Sequence, residues 1–207
     1  MNYAGFSSPL LHWLSGIKIQ AIGMPDPVVG PPLSTAGLVA VWRSRLAGIP
    51  WVVALQQYNL LGSHDTSRVR SVLGDNDALH RLAVTLLLTY PGVPGLYYGD
   101  EIGLLDEPGL RSRGCMPWDP AGWNHELRDF FKELIRLRRT SPAWQRGGFQ
   151  VVSGEQHTLA YLRSLGSERW LIIAQRHATS RPAGPLDLRA AGLPDGVRLR
   201  EHFNGQS

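Results

Sequence analysis

Between residues 50 and 140 the sequence repeats one unit: a short apolar run, a polar tip, then a helical stretch. The run "NLLGS" (Asn59 to Ser63) reads as a short strand that ends at His64 and Asp65. "TSRVRSVLG" follows as a short helix, and Asp75 or Asn76 caps a longer one, "DALHRLAVTLLLTY". That helix must stop before Pro91, because proline pushes its predecessor out of helical geometry. A second strand, Gly95 to Tyr98 in "VPGLYYGDEIG", leads into Asp100 and Glu101. In "NHELRDFFKELIRLRR" (Asn124 to Arg139), Leu127, Phe130, Phe131, Leu134 and Leu137 recur at spacings of three and four and share one helix face. Strands joined through helices run parallel. The rhythm is that of βα units in a parallel barrel or open sheet, where loops leaving the C-terminal ends of the strands build the active site. His64 and Asp65 fall at such an end.

The flanks read differently. "SPLLHWLSG" (Ser8 to Gly16) is a short helix stopped by Gly16, and "GMPDPVVGPPLS" (Gly23 to Ser34), with its four prolines, is a loop. Ser34 or Thr35 caps "TAGLVAVWRSRLAG", whose Leu38, Val41, Trp42 and Leu46 make an apolar stripe; "PWVVALQQY" continues as a second helical piece with Pro50 in its first turn. From Gly147 the period becomes alternating. "GFQVVSG", "TLAYLRS" and "RWLIIAQR" predict antiparallel strands, and "VRLREHFNG" a final one. The expected parts are residues 1–145 and 146–207.

Apolar residues at 43% of 207 can fill a real core, and charged residues are only 18%. The net charge of +4 comes from scattered arginines, with one local cluster, "RLRR" (Arg136 to Arg139), placed as the solvated last turn of a helix. A nucleic-acid binder gathers its charge into a stripe with interleaved aromatics, so no nucleic-acid partner is expected. Cys115 is the single cysteine, which excludes an intrachain disulfide, and the longest apolar run, "LAVTLLLTY", is half a membrane span. With no signal-peptide pattern at the N-terminus, these features predict a cytoplasmic protein without membrane partners.

A carboxylate fixed at a strand exit accepts strong hydrogen bonds from sugar hydroxyls, and a neighbouring histidine donates one; such contacts tighten as the ring approaches an oxocarbenium ion. The plainer alternative makes Asp65 the cap of a helix beginning near Ser67 and His64 a surface residue. Asp100 and Glu101 either pair with Asp65 as acid and nucleophile, at the roughly 5 Å separation of a retaining pair, or fix a loop through backbone amides. In "LRSRGCMPWD", Arg111 and Arg113 can fork onto hydroxyls or a carboxylate and Trp118 can stack on a pyranose, or Trp118 pins a surface loop; Cys115 is read as structural. A rival reading makes His64 and Asp65 the doublet of a metal-dependent phosphohydrolase, with His12, His80 or Asp77 as further ligands. Such sites draw ligands from facing helices, whereas this doublet follows a strand.

"NLLGSHDTSR" resembles the fourth conserved region of the α-amylase superfamily of glycoside hydrolases, and "YPGVPGLYYGDEIGL" resembles the segment of its eighth barrel strand. "MNYAGF" is similar to the segment after the sixth strand and "CMPWD" to the motif before the last barrel helix; the wording is nearest the neopullulanase, cyclomaltodextrinase and maltodextrin glucosidase branch. The resemblance implies an α/β fold: the C-terminal part of a (β/α)8 TIM barrel, about strands 6–8 with their helices, in residues 1–145. An incomplete all-β antiparallel C-terminal domain, a β-sandwich, follows in residues 146–207. It implies that Asp65 is the third catalytic carboxylate, holding and distorting the sugar, and that His64 binds the same sugar. Asp100 and Glu101 match structural residues, and Asp106, Arg111 and Arg113 fall where the branch has an acid and arginines near the non-reducing end of the substrate.

The family's nucleophile aspartate and acid/base glutamate, on the fourth and fifth strands, have no counterpart here. A full barrel needs about 250 residues, roughly 31 per βα unit. Residues 1–145 therefore hold fewer than five units. The chain also opens inside a strand-to-helix connection and stops before the β domain closes, so the expectation is a C-terminal piece of a retaining α-glucan hydrolase, inactive alone and poorly soluble. It needs no cofactor and no metal. Its expected partners are a maltodextrin and either the N-terminal barrel half or a second copy in a homo-dimer; the alternative is a non-catalytic carbohydrate-binding or assembly module.

Overall fold

The computed structural model describes residues 1–18, 28–177, 186, 188–193 and 196–203. A π-helical turn, Tyr3–Ser7, runs into α1 (Ser8–Ser15), which Gly16 ends in the left-handed conformation, φ 76°. β1 (Ile17–Lys18) pairs antiparallel with β2 (Val28–Val29). The expected loop therefore carries a two-residue ladder at its one proline-free stretch; residues 23–27 lie outside the described residues.

α2 (Thr35–Ala47) is capped by Ser34, whose side chain accepts from Gly37 N at 3.0 Å. α3 (Trp51–Ala54) is a single turn entered through Pro50, shorter than expected because the chain turns at Leu55 toward β3 (Tyr58–Leu60). After α4 (Val69–Val72) comes α5 (Asp77–Thr89), whose cap is Asn76, accepting from Leu79 N at 3.0 Å. β4 spans Val93–Gly95, so the second strand starts two residues before the expected one and ends where that one begins. Register explains the shift: Tyr58 pairs with Val93 and Leu60 with Gly95, parallel, leaving Leu96 to Tyr98 to turn away. α6 (His125–Thr140) and α7 (Pro142–Arg146) follow.

β5 (Gly148–Glu155), β6 (Thr158–Leu165) and β7 (Glu168–Gln175) form one antiparallel sheet in that order, with a register shift between Val151 and Ser153. No strand forms over residues 197–203. There Phe203 packs on Phe130 of α6 with ring centroids 5.1 Å apart, and His202 Nε2 lies 2.9 Å from Glu133, so the alternating residues are used against a helix instead of a ladder.

One core joins both parts. Phe6, Trp13, Trp42, Leu87, Tyr90, Phe131, Leu134, Leu159 and Tyr161 are all buried within it. Trp42 of α2 meets Tyr90 at 4.6 Å and Tyr161 of the sheet at 6.3 Å between centroids. Outside this core the two-stranded parallel ladder is open. Tyr58, Val93 and Leu96 are exposed, although strands of a parallel sheet are normally covered on both faces.

Candidate active site

β3 carries the chain inward to Leu61, Gly62 and Ser63, all buried, and then out to an exposed His64 and a half-buried Asp65. Ser63 is the hub of this turn. Its hydroxyl lies 2.7 Å from Tyr3 Oη and accepts from Asp65 N at 3.0 Å; its N–H donates to Thr66 Oγ1 at 2.9 Å and its carbonyl accepts from Ser112 Oγ at 3.1 Å. The turn is thus held by the N-terminal segment, by itself and by the loop leaving β4.

Asp65 does not cap a helix. α4 begins at Val69 behind Arg68, with no side-chain cap. Asp65 Oδ1 lies 3.2 Å from His64 Nε2 and 3.5 Å from Arg113 Nη2, while Arg113 Nε donates to His64 O at 2.9 Å. One guanidinium from the β4 loop therefore grips both residues of the doublet. Because these side chains are 37–58% exposed, the ion pairs add little stability, on the order of 0–1 kcal/mol, and what they supply is placement.

Asp106 sits on the same rim. Its Oδ1 accepts from Arg68 N at 2.8 Å and its N–H donates to Ser71 Oγ at 2.7 Å, so the β4 loop is stitched to the turn before α4. Arg111 is exposed, with φ 51°, on a turn closed by paired backbone bonds to Glu107. It makes no hydrogen bond or ion pair with His64, Asp65, Asp106 or Arg113 among the described residues. The structure places all five expected residues on two linked loops and brings three of them, His64, Asp65 and Arg113, into direct contact.

Asp100 is not a partner of Asp65. It is buried, 3.6 Å from Arg68 Nη1, and burial pushes its carboxyl up to about 7 against the pull of that guanidinium. Arg68 is equally buried, donates through Nη1 to Tyr98 O at 2.6 Å and lies over the rings of Tyr97 and Tyr98, 5.1 and 4.8 Å from their centroids. Asp100 thus fixes its loop through an arginine, not through backbone amides. Sequence reasoning quoted Arg68 without singling it out, and passed over Ser63, Ser112 and Tyr3; the signal available was an arginine three residues past the aspartate, too short a reach for solvent once the turn is packed.

The loop beyond is pinned by Trp123, whose Nε1 donates to Pro117 O at 2.7 Å, whereas Trp118 is 79% exposed, which speaks against it as the pin and leaves its indole face open; Cys115 is exposed as well. Two grooves, of about 390 and 380 Å³, run along β4 and α6 and are lined by Leu96, Ile135, Phe131 and Pro94; neither is lined by His64 or Asp65. The phosphohydrolase arrangement is not assembled: His80 is buried against Phe131, and among the described residues no three His, Cys, Asp or Glu side chains are placed to hold a metal ion. Among those residues no helix is long and apolar enough to cross a membrane.

Residues 42–164 match the model of the alpha-amylase catalytic domain. The chain is 39% identical over 200 residues to a cyclomaltodextrinase of Geobacillus thermopakistaniensis, covering 88% of this chain and 33% of that protein. It is 46% identical over 119 residues to neopullulanase 2 of Thermoactinomyces vulgaris, covering 58% of this chain and 20% of that one. Among solved structures it is similar to the debranching enzyme of Nostoc punctiforme in an acarbose-soaked crystal, with a TM-score of 0.74 and 33% identity over 85% of this chain and 36% of the other. The chain spans about a third of the length of the first of these relatives.

Proposed function

Since the chain belongs to the alpha-amylase catalytic-domain family, we propose that it is the C-terminal part of a glycoside hydrolase that cleaves α-glucosidic bonds in maltodextrins with retention. Asp65 accepts hydrogen bonds from hydroxyls of the sugar beside the scissile bond, His64 donates one, and both strengthen as the ring flattens. Asp106, Arg111 and Arg113 line the approach of the non-reducing end. The nucleophile and the general acid come from the βα units that precede these in the barrel. Residues 1–145 are the C-terminal barrel units, about strands 6–8, and residues 146–207 belong to a β-sandwich domain of which the described strands supply one sheet. The working enzyme is placed in the cytoplasm, with no cofactor.

The observation that carries this reading is a half-exposed carboxylate at the exit of a parallel strand, oriented by a histidine beside it and an arginine from the next strand's loop. The apolar grooves along β4 and α6 support it, since a barrel seats its next βα unit against such a face. Complementation tests it. Adding the N-terminal barrel units of a cyclomaltodextrinase-like protein to this chain is expected to yield maltotriose cleavage that Asp65→Asn lowers at least 100-fold. Cleavage indifferent to that substitution removes Asp65 from the mechanism; saturable maltotriose binding by the chain alone, without turnover on complementation, favours a non-catalytic binding module.

A further inference from the structure

Behind the sugar-gripping turn lies a buried ion pair, Arg68 with Asp100, whose side chains meet beneath the rim. Arg68 and Asp100 are 1% and 5% exposed. Arg68 leaves the turn after β3, crosses beneath it over the adjoining rings of Tyr97 and Tyr98, and ends at Tyr98 O and Asp100, both on the chain leaving β4. Its backbone N–H, at the other end of the same residue, holds Asp106 Oδ1 at 2.8 Å. We propose that Arg68 and Asp100 are a positioning pair that fixes the β3 turn bearing Asp65 against the β4 loop bearing Asp106 and Arg113.

Energetics separate this role from a stabilising one. A buried pair offsets its desolvation only if its remaining donors and acceptors are satisfied, and among the described residues Arg68 Nη2 and Asp100 Oδ1 have no hydrogen-bond partner. The pair is therefore neutral or costly to the fold. What it does contribute is a cross-link between the two loops: the guanidinium lies over the adjoining rings of Tyr97 and Tyr98, and a Cβ on Gly99 would sit 3.1 Å from its Nη1 and closer still to Leu104, so the backbone leaving β4 passes tight against it. Asp65 and Arg113 come from opposite sides of that cross-link and meet at 3.5 Å.

The inference rests on Asp65 being the sugar-binding carboxylate, yet its test does not use sugar. In the 207-residue chain, the double variant Arg68→Met/Asp100→Leu is compared with Arg68→Met alone by thermal unfolding, amide hydrogen exchange and carboxyl ¹³C NMR. The double variant is expected to unfold at or above the parent temperature while the amide at position 68 exchanges at least 10-fold faster and the carboxyl signals of Asp65 and Asp106 shift. Arg68→Met alone, which leaves a bare buried carboxylate, is expected to unfold well below both. Unmoved carboxyl signals and amide exchange in the double variant would overturn the positioning role, and so would an unfolding temperature as low as that of the single variant. A failure of Asp65→Asn to affect complemented cleavage would instead sink the sugar reading and leave this result standing.

Discussion

His80 should make the fold sensitive to acid, and by a calculable amount. It lies on α5, fully buried, edge-on to Phe131 of α6 at 5.8 Å, and neither ring nitrogen has a hydrogen-bond partner among the described residues. Burial, helped by the Arg70 charge and opposed by Asp77, lowers its pKa from 6.5 to about 4. The folded state thus prefers the neutral ring more than the unfolded chain does. Its contribution is fully present above the unfolded value and is lost as pH falls through the folded one. From 6.5 down to about 4, at about 1.4 kcal/mol per pH unit, the loss is on the order of 3 kcal/mol. That is a large part of the about 5–15 kcal/mol that holds a domain together. His80→Leu removes the titration and two unpartnered nitrogens together. Followed by tryptophan fluorescence at low micromolar concentration, the variant should be at least as stable as the parent at pH 7 and should retain about 3 kcal/mol more between pH 6.5 and 4. An acid midpoint that does not move, or an NMR titration placing His80 near its ordinary value, refutes the reasoning.

Asp100 acts in the opposite sense: burial raises its folded value to about 7, so its contribution is fully present below its ordinary value of 3.8 and is lost as pH rises through 7. Asp100→Asn should flatten that decline, most visibly in a His80→Leu background where the opposing slope is gone; a decline that persists would assign it elsewhere. Gly147→Ala should cost about 1–3 kcal/mol by urea titration, because its Cβ would lie 2.5 Å from Ala143 O and 2.6 Å from Ser164 O, with backbone on both sides. With Val52, Val93, Leu96 and Tyr98 exposed beside an open parallel ladder, the isolated chain should self-associate as concentration rises. A monomer at every concentration by light scattering, melting in one sharp transition, would contradict this.

The sequence was most readable where a local rule meets no competitor. Ser34 and Asn76 cap their helices because a short polar side chain there satisfies an otherwise unpaired N–H. The β4 boundary was misplaced because "VPG" looks like a turn, and only the pairing of Val93 with Tyr58 makes it a strand. The final strand was misplaced for the converse reason: alternation was present, but Phe130 and Trp170 offered His202 and Phe203 a packed surface and no edge was needed. At the site, His64 and Asp65 were legible as residue types at a strand exit. Ser63, Ser112 and Tyr3 were not, since their roles arise from contacts about 50 or more positions apart along the chain.

Both parts of the chain also cooperate at the end of the ladder away from the site. Arg163 of β6, fully buried, donates to the carbonyls of Thr89, Gly147 and Gly148, and Arg138 of α6 donates to those of Leu88 and Gly92. Of these acceptors, Leu88 and Thr89 lie at the C-terminal end of α5, where helix carbonyls lack partners of their own and carry partial negative charge, Gly92 lies just before β4, and Gly147 and Gly148 join α7 to β5. Burial lowers both arginines to about 10, which still leaves them charged at neutral pH and able to donate. The sheet and α6 thus anchor the entry to β4, while its exit carries Asp106 and Arg113. That division matches the logic of parallel barrels, where one end of the strands is given to stability and the other to chemistry. It leaves the Asp65 rim free to be shaped by its own loops.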